Sequence, residues 1–329
     1  MATIGTWAKT LAILRGQIGD LSHIDPDLRR AYVRMKLLAR FPFIRDRASG
    51  RGAGAAFAAD PGAAPAAAPG GMVTGNAEQI ASDVCETGLS TGLALSDAAC
   101  AALQRYAETE VFHIDGPDGP QALRPGTPIP PDARYGVYYN ASVRAPEIGR
   151  LSRDPVLLEA AARYLKDAPR FIGATLWWCF AGPEPEWLEN TYSSHWHYDI
   201  DDYRSVKFFF YLTDVADGDG AHCYLRGTHR ARPLSIALLA RRFTDRDVRA
   251  AFPDASEVTV TGPAGTGFAI DNFGLHRGLP CTGRHRLALE VCFGISAFDQ
   301  LNDIRPELEE NVPSPRRSAP ASHRPGSAG

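Results

Sequence analysis

The sequence predicts a mainly β protein, a double-stranded β-helix or jelly roll with helices on one face. Three observations carry that expectation. Short segments rich in β-branched and aromatic residues recur from residue 170 to 295, parted by Gly, Pro and Asp turns. Two helical segments precede them, an order that suits a double sheet covered by helices. The segment CTGRHRLALEVCF alternates cleanly, with Leu287, Leu289, Val291 and Phe293 on one face and Arg284, Arg286, Ala288, Glu290 and Cys292 on the other. Its apolar face suits packing under helices, and its arginine face suits the interior of a barrel.

Four regions follow in order. Residues 1–47 read as a basic helical segment. Asp25-Pro26-Asp27 is a helix start, because an Asp side chain caps free N–H groups and Pro fits the first turn. The stretch LRRAYVRMKLLARF then interleaves apolar and basic residues at helical spacing. This pattern admits weak contact of residues 25–47 with an anionic membrane surface. The favoured reading is a helix packed on the main domain with its basic face in solvent. Residues 48–76 are nearly all Gly, Ala and Pro and read as a flexible linker, too poor in apolar surface to offset chain entropy. Residues 77–311 form the expected jelly-roll domain, and residues 312–329 a disordered tail. Within the domain, LSDAACAALQRYAE starts a helix with Ser96-Asp97 as its cap, and DPVLLEAAARYLKD starts one with Asp154 as cap and Pro155 at the first position. The strands expected are RFIGATLWWCF, RSVKFFFYLTDV, GAHCYLRG, SEVTVTGP, GTGFAIDNF and RHRLALEVCFGI.

Composition excludes several classes. The chain of 329 residues is 44% hydrophobic and 22% charged, ordinary values for a globular protein. A net charge of -3 argues against nucleic-acid binding, which calls for a basic excess. The six cysteines include no C-x-x-C pair, so reduced, mostly buried thiols are expected rather than a zinc ribbon or disulfide framework. No apolar run reaches the ~20 residues of a membrane span. The first residues lack the apolar core and cleavage site of a signal peptide. The expected location is the cytoplasm.

Chemistry concentrates in HWHYDIDD, residues 195–202. In a strand, residues i and i+2 share a face, so His197 and Asp199 become adjacent ligands. A third ligand has to come from elsewhere in the fold. His276, in GTGFAIDNFGLHRG, is the candidate. Two histidines and one carboxylate on one side of a metal leave the other side open, the arrangement of non-haem Fe(II) oxygenases. A buried arginine needs an anionic partner, and its planar fork suits a carboxylate. The far carboxylate of 2-oxoglutarate meets that need at Arg286. His195 offers an alternative H-x-H pair of cupin type, but the cupin's glutamate and second motif are missing. Asp201 and Asp202 read as turn residues or partners of Arg204 and Lys207. His222 and His285 read as locally satisfied strand residues.

Together HWHYDIDDYRSVKFFFYLTDVADGDGAHCYLRGTHR, GTGFAIDNFGLHRGLP and RHRLALEV resemble the phytanoyl-CoA dioxygenase family of Fe(II)/2-oxoglutarate oxygenases. The resemblance covers roughly residues 85–298. It implies that His197, Asp199 and His276 bind iron, that Arg286 clamps 2-oxoglutarate, and that Tyr203 lies near this cosubstrate. It also implies that Thr175, Trp177 and Cys179 face inward and that the LRGTH turn, Leu225 to His229, is structural. Relatives often carry Ser or Thr two residues after the late histidine, to help hold 2-oxoglutarate. Gly278 stands there, which leaves room for Arg284, Thr282 or Lys207 to share the clamp. The implied activity is hydroxylation of a small organic, lipid or sugar substrate with release of succinate and CO2. Asp199 argues for hydroxylation over halogenation, since related halogenases carry a small residue in its place. The competing readings are a jelly-roll binding protein without turnover and a cupin-like metal-dependent isomerase.

Overall fold

The computed structural model describes residues 26–48, 71–116, 119–183, 194–230, 232–233, 236–237 and 242–296. Asp25, the expected linker from 49 to 70, and everything beyond 296, including the expected tail, lie outside them. Twelve strands appear among these residues: β1 (Val73–Gly75), β2 (Leu89–Leu95), β3 (Phe112–Gly116), β4 (Gly119–Leu123), β5 (Tyr135–Val137), β6 (Arg170–Cys179), β7 (Ser205–Tyr211), β8 (His222–Leu225), β9 (Glu257–Val260), β10 (Thr266–Ile270), β11 (His276–Gly278) and β12 (Arg286–Gly294). The helices are α1 (Pro26–Leu38), α2 (Pro42–Ala48), α3 (Ala77–Thr87), α4 (Asp97–Thr109), α5 (Ala141–Arg144), α6 (Pro146–Leu151), α7 (Pro155–Leu165) and α8 (Asp245–Ala251).

Nine strands form one antiparallel sheet in the order β1-β2-β10-β7-β12-β6-β5-β3-β4. A second sheet, β11-β8-β9, faces it across a cavity. This is the jelly roll that the strand pattern predicts. The outer face of the large sheet carries the alternate residues Phe208, Phe210, Leu287, Leu289, Val291 and Phe293 into one core with α3, α4 and α7. The inner face turns Thr175, Trp177, Phe209, Tyr211, Arg286, Ala288 and Glu290 toward the cavity. Central strand β7 is buried along its whole length, as a strand covered on both faces must be.

Caps start the helices where the sequence marks them. Ser96 accepts from Ala99 N at the head of α4, and Asp154 accepts from Val156 N at the head of α7, with Pro155 next. Strands β1 to β5 and β11, and helix α3, are not among the expected elements. The linker expectation also reaches too far. Val73–Gly75 pairs with Leu93–Leu95 at the edge of the large sheet, and Asn76 caps α3, so structure begins before residue 77. All six cysteines are free thiols and five are buried.

The N-terminal helices pack against the body of the protein. Met35 of α1 and Ala39 just after it join Trp196, Tyr198, Ile200, Phe273 and Leu275 in a second core cluster. The basic face is only partly in solvent. Lys36 is buried and donates to the carbonyl of Ile200, and Arg45 is buried against Asp271. Arg29, Arg30 and Arg34 remain exposed. No helix of the described residues is long and apolar enough to cross a membrane.

Candidate metal and cosubstrate site

His197 and His276 are brought together by backbone pairing. Each donates its N–H to the other's carbonyl, at 3.0 and 2.9 Å, the geometry of a hydrogen-bonded antiparallel pair. Asp199 N donates to Asn272 O at 2.8 Å, which places its carboxylate beside them. One candidate ligand atom from each of His197, Asp199 and His276 lies within 4.8 Å of the other two. These three are the group of that kind found among the described residues.

The imidazoles are oriented for a cation. His197 Nδ1 lies 2.8 Å from the carbonyl of His195, and His276 Nδ1 lies 3.0 Å from that of Gly274. A carbonyl can only accept, so in each ring Nδ1 carries a proton and Nε2 is the nitrogen left for a metal. This second contact fixes ring and tautomer as it does in metal-binding histidines. Burial, then the neighbouring His276, pushes His197 down to about 3, so it is neutral at physiological pH. Burial opposes ionisation of Asp199, but Lys207, His276 and His197 outweigh it and hold its carboxyl well below the ordinary range. Two imidazole nitrogens and one carboxylate face one another. That donor set suits a divalent first-row metal with open positions.

Lys207 ties the site together. Its Nζ sits 3.0 Å from Asp199 Oδ2, 3.1 Å from Asp201 Oδ2 and 2.9 Å from Glu290 Oε1. Burial disfavours its charge, and the three carboxylates more than compensate, so it stays protonated. Asn272 braces the arrangement: its Nδ2 donates to Asp201 and its Oδ1 accepts from Ser205. A single lysine inside the apolar run VKFFFY is the signal in the sequence for this network. Asn272 leaves no comparable signal.

The cavity has a volume of about 340 Å³, within the range of small-molecule pockets. Trp177, Phe209 and Phe268 form an aromatic wall, with Phe209 and Phe268 stacked 5.0 Å apart. Arg286 lines it and is 5% exposed. Its Nη1 donates to Gly220 O and its Nη2 points at Cys179 Sγ, while its Nε has no partner among the described residues. A buried guanidinium with no carboxylate beside it fits an anionic group from outside the chain. The residues present therefore fit both a divalent metal and a dicarboxylate.

Thr175 and Trp177 line the cavity, and Cys179 meets Arg286, as expected. Other expectations need correction. Tyr203 does not line the cavity. It packs with the second core cluster, where α1 and α2 cover it, and its carbonyl accepts from Arg45. Arg284 precedes β12, points outward and is held by Asp219 at 2.7 Å, so it shares no face with Arg286. Thr282 is bound to Gly218 O on the surface. Lys207 is committed to three carboxylates. Arg204 donates to Tyr164 O rather than to Asp201 or Asp202. His195 contributes its carbonyl, not its ring, to the cluster. His222 is not satisfied locally: it lines the cavity, and its Nε2 is buried without a partner among the described residues.

No family model matches the chain, and neither does any curated protein sequence. Several solved structures share the fold loosely. EctD from S. alaskensis with bound Fe is 16% identical, with 67% of this chain and 76% of that one covered at a TM-score of 0.48. The epimerase SnoN from nogalamycin biosynthesis, in complex with Fe3+, alpha ketoglutarate and nogalamycin RO, is 15% identical over 66% of this chain and 82% of that one, at 0.47. HygX from Streptomyces hygroscopicus with nickel, 2-oxoglutarate and hygromycin B bound is 16% identical over 68% and 88%, at 0.44. Likeness at this level carries no function across.

Proposed function

We propose that the chain is an Fe(II)- and 2-oxoglutarate-dependent oxygenase of the hydroxylase type, akin to the phytanoyl-CoA dioxygenase family. The observation that carries this reading is one cavity holding two imidazoles tied through Nδ1 to backbone carbonyls, one carboxylate within ligand distance of both, and a buried arginine with no carboxylate partner among the described residues. His197, Asp199 and His276 hold the metal, and Arg286 holds the far carboxylate of 2-oxoglutarate. Bound there with 2-oxoglutarate and dioxygen, iron supplies the oxidising power for attack on a substrate C–H bond, with succinate and CO2 released. The chain's own part is placement and exclusion. Lys207 fixes the carboxylate of Asp199 through Oδ2. Trp177, Phe209 and Phe268 keep water from the reacting region. Thr175, opposite Glu290 in the strand register, offers a hydroxyl to the bound small molecules. The substrate is a small organic, lipid or sugar molecule.

The test is turnover of 2-oxoglutarate to succinate by the purified protein with Fe(II) in air, measured by chromatography. Succinate formation that disappears in His197→Ala and Asp199→Ala supports the reading. Iron-loaded folded protein that makes none moves weight to a binding protein without turnover, or to a metal-dependent isomerase.

Helix α1 turns Arg29, Arg30, Arg34 and Leu37 outward, and α2 turns out Phe43, which is 61% exposed. This basic and apolar face suits weak contact with an anionic membrane surface. Sedimentation with phosphatidylserine vesicles that is unchanged in Arg30→Glu/Arg34→Glu would remove that part of the proposal.

A further inference from the structure

Two side chains that line the cavity each carry a buried nitrogen with no hydrogen-bond partner among the described residues: Arg286 Nε and His222 Nε2. No carboxylate of the described residues forms an ion pair with either side chain. An unpaired buried polar nitrogen is costly, so two on side chains lining one cavity call for a partner that the described residues do not supply. The two side chains flank Tyr211. Arg286 lies 5.8 Å from its ring, and its hydroxyl accepts at 2.9 Å from the backbone N–H of His222. The imidazole is held on three sides, 5.1 Å from Phe209, 5.0 Å from Phe268 and 5.4 Å from His276, ring to ring. Its register partner on β11 is Gly278, which lines the cavity without a side chain. Gly278 brings no side chain against the ring, and the phenylalanine walls offer no polar atom.

We propose that His222 is a second anion-binding residue of this cavity, donating its Nε2–H to the 2-oxoglutarate carboxylate that Arg286 holds. The proposal rests on the oxygenase reading above. A neutral imidazole has one N–H, so donation from Nε2 leaves Nδ1 as an acceptor. The residue does no proton transfer. It adds one directed hydrogen bond to the arginine's charge, on the side that Gly278 leaves empty.

The test is calorimetric titration of the full chain, loaded with Mn(II) under anaerobic conditions. The ligands are 2-oxoglutarate and 2-oxobutyrate, which lacks the second carboxylate. His222→Leu is expected to bind 2-oxoglutarate about tenfold more weakly or worse, the effect of one lost hydrogen bond to a charged group. His222→Gln, whose amide still donates, is expected to recover most of that loss. Binding of 2-oxobutyrate is expected to be the same in the wild type and His222→Leu. Equal 2-oxoglutarate affinity in the wild type and His222→Leu, with Arg286→Ala weakened, would overturn the role of His222 and leave the oxygenase reading standing. A loss shared equally by 2-oxobutyrate would make His222 a packing residue behind His276 and would also overturn it. No 2-oxoglutarate binding by the metal-loaded wild type overturns both readings.

Discussion

At the scale of single residues, burial is what tunes the site. Burial holds His197 down to about 3 and, with neighbouring cations, keeps His222 and His229 below the ordinary histidine value. In the unfolded chain all three titrate near ~6.5. As pH falls, the unfolded state therefore takes up protons first. The stabilising contribution is full above about pH 6.5 and is lost below it, down toward the folded values. The metal-free protein is expected to lose stability between pH 7 and 5, by up to ~1.4 kcal/mol per pH unit for each histidine. Urea denaturation across that range checks this, and His222→Leu should make the slope shallower. A flat profile would contradict the burial argument. Lys207 gives a second residue-scale prediction. Lys207→Met leaves Asp199, Asp201 and Glu290 without their shared cation, which is expected to cost about 3–5 kcal/mol. Adding Glu290→Gln should recover part of it. If Lys207→Met melts like the wild type, the three contacts hold nothing together.

Among the elements, the segment from Asp271 to His276 sets the position of the late ligand. It is fastened from both sides. Thr228 Oγ1 donates to Leu225 O and accepts from Leu275 N, at 2.7 and 2.8 Å. Asp271 accepts from Tyr164 and Arg45, and Arg45 also lies 3.4 Å above the ring of Phe273. Thr228→Val is expected to cost about 1–3 kcal/mol, because two buried partners lose their hydrogen bonds. It should weaken metal binding as well, which Mn(II) titration would reveal. Undiminished affinity would mean that the turn does not position His276. The LRGTH turn was legible through its resemblance to a family motif, and Gly227, at φ +81°, and Thr228 supply the physical reason for it. That His197 and Asp199 lie together and that Arg286 shares a face with Ala288 and Glu290 were legible because period-two alternation puts i and i+2 on one face; alternation says nothing of His276, which comes from a distant segment. Tyr203, Arg284 and His222 were misjudged for the opposite reason. Alternation says which residues share a face, but where a strand stops and what packs over it are decided by contacts distant in sequence. Arg284 falls just before β12 begins, and Tyr203 just before β7.

For the whole molecule, β6 to β10 and β12 were readable from their β-branched and aromatic runs, and β1 to β5 and β11 were not. Strand β2 owes its pairing to neighbours rather than to its own composition, since Leu89–Leu95 (LSTGLAL) has no aromatic or β-branched residue but Thr91, while β1 and β5, three residues each, are too brief to show a pattern. The N-terminal segment shows the same limit. Its amphipathic pattern announced a helix but not that Lys36 and Arg45 are buried partners of the jelly roll. Deleting residues 1–48 is expected to lower the thermal midpoint, by exposing the Trp196–Tyr198–Phe273 cluster and removing the cation beside Asp271. An unchanged midpoint would mean that these helices only rest on the surface. The central claim, a metal held by His197, Asp199 and His276 with Arg286 receiving 2-oxoglutarate, is tested most directly by one measurement. The apo-protein is titrated anaerobically with Fe(II) and then 2-oxoglutarate, with the visible spectrum recorded. The account predicts a weak visible absorption band in the wild type that is absent in His197→Ala and needs more 2-oxoglutarate in Arg286→Ala. No band in folded, iron-loaded wild-type protein would contradict it.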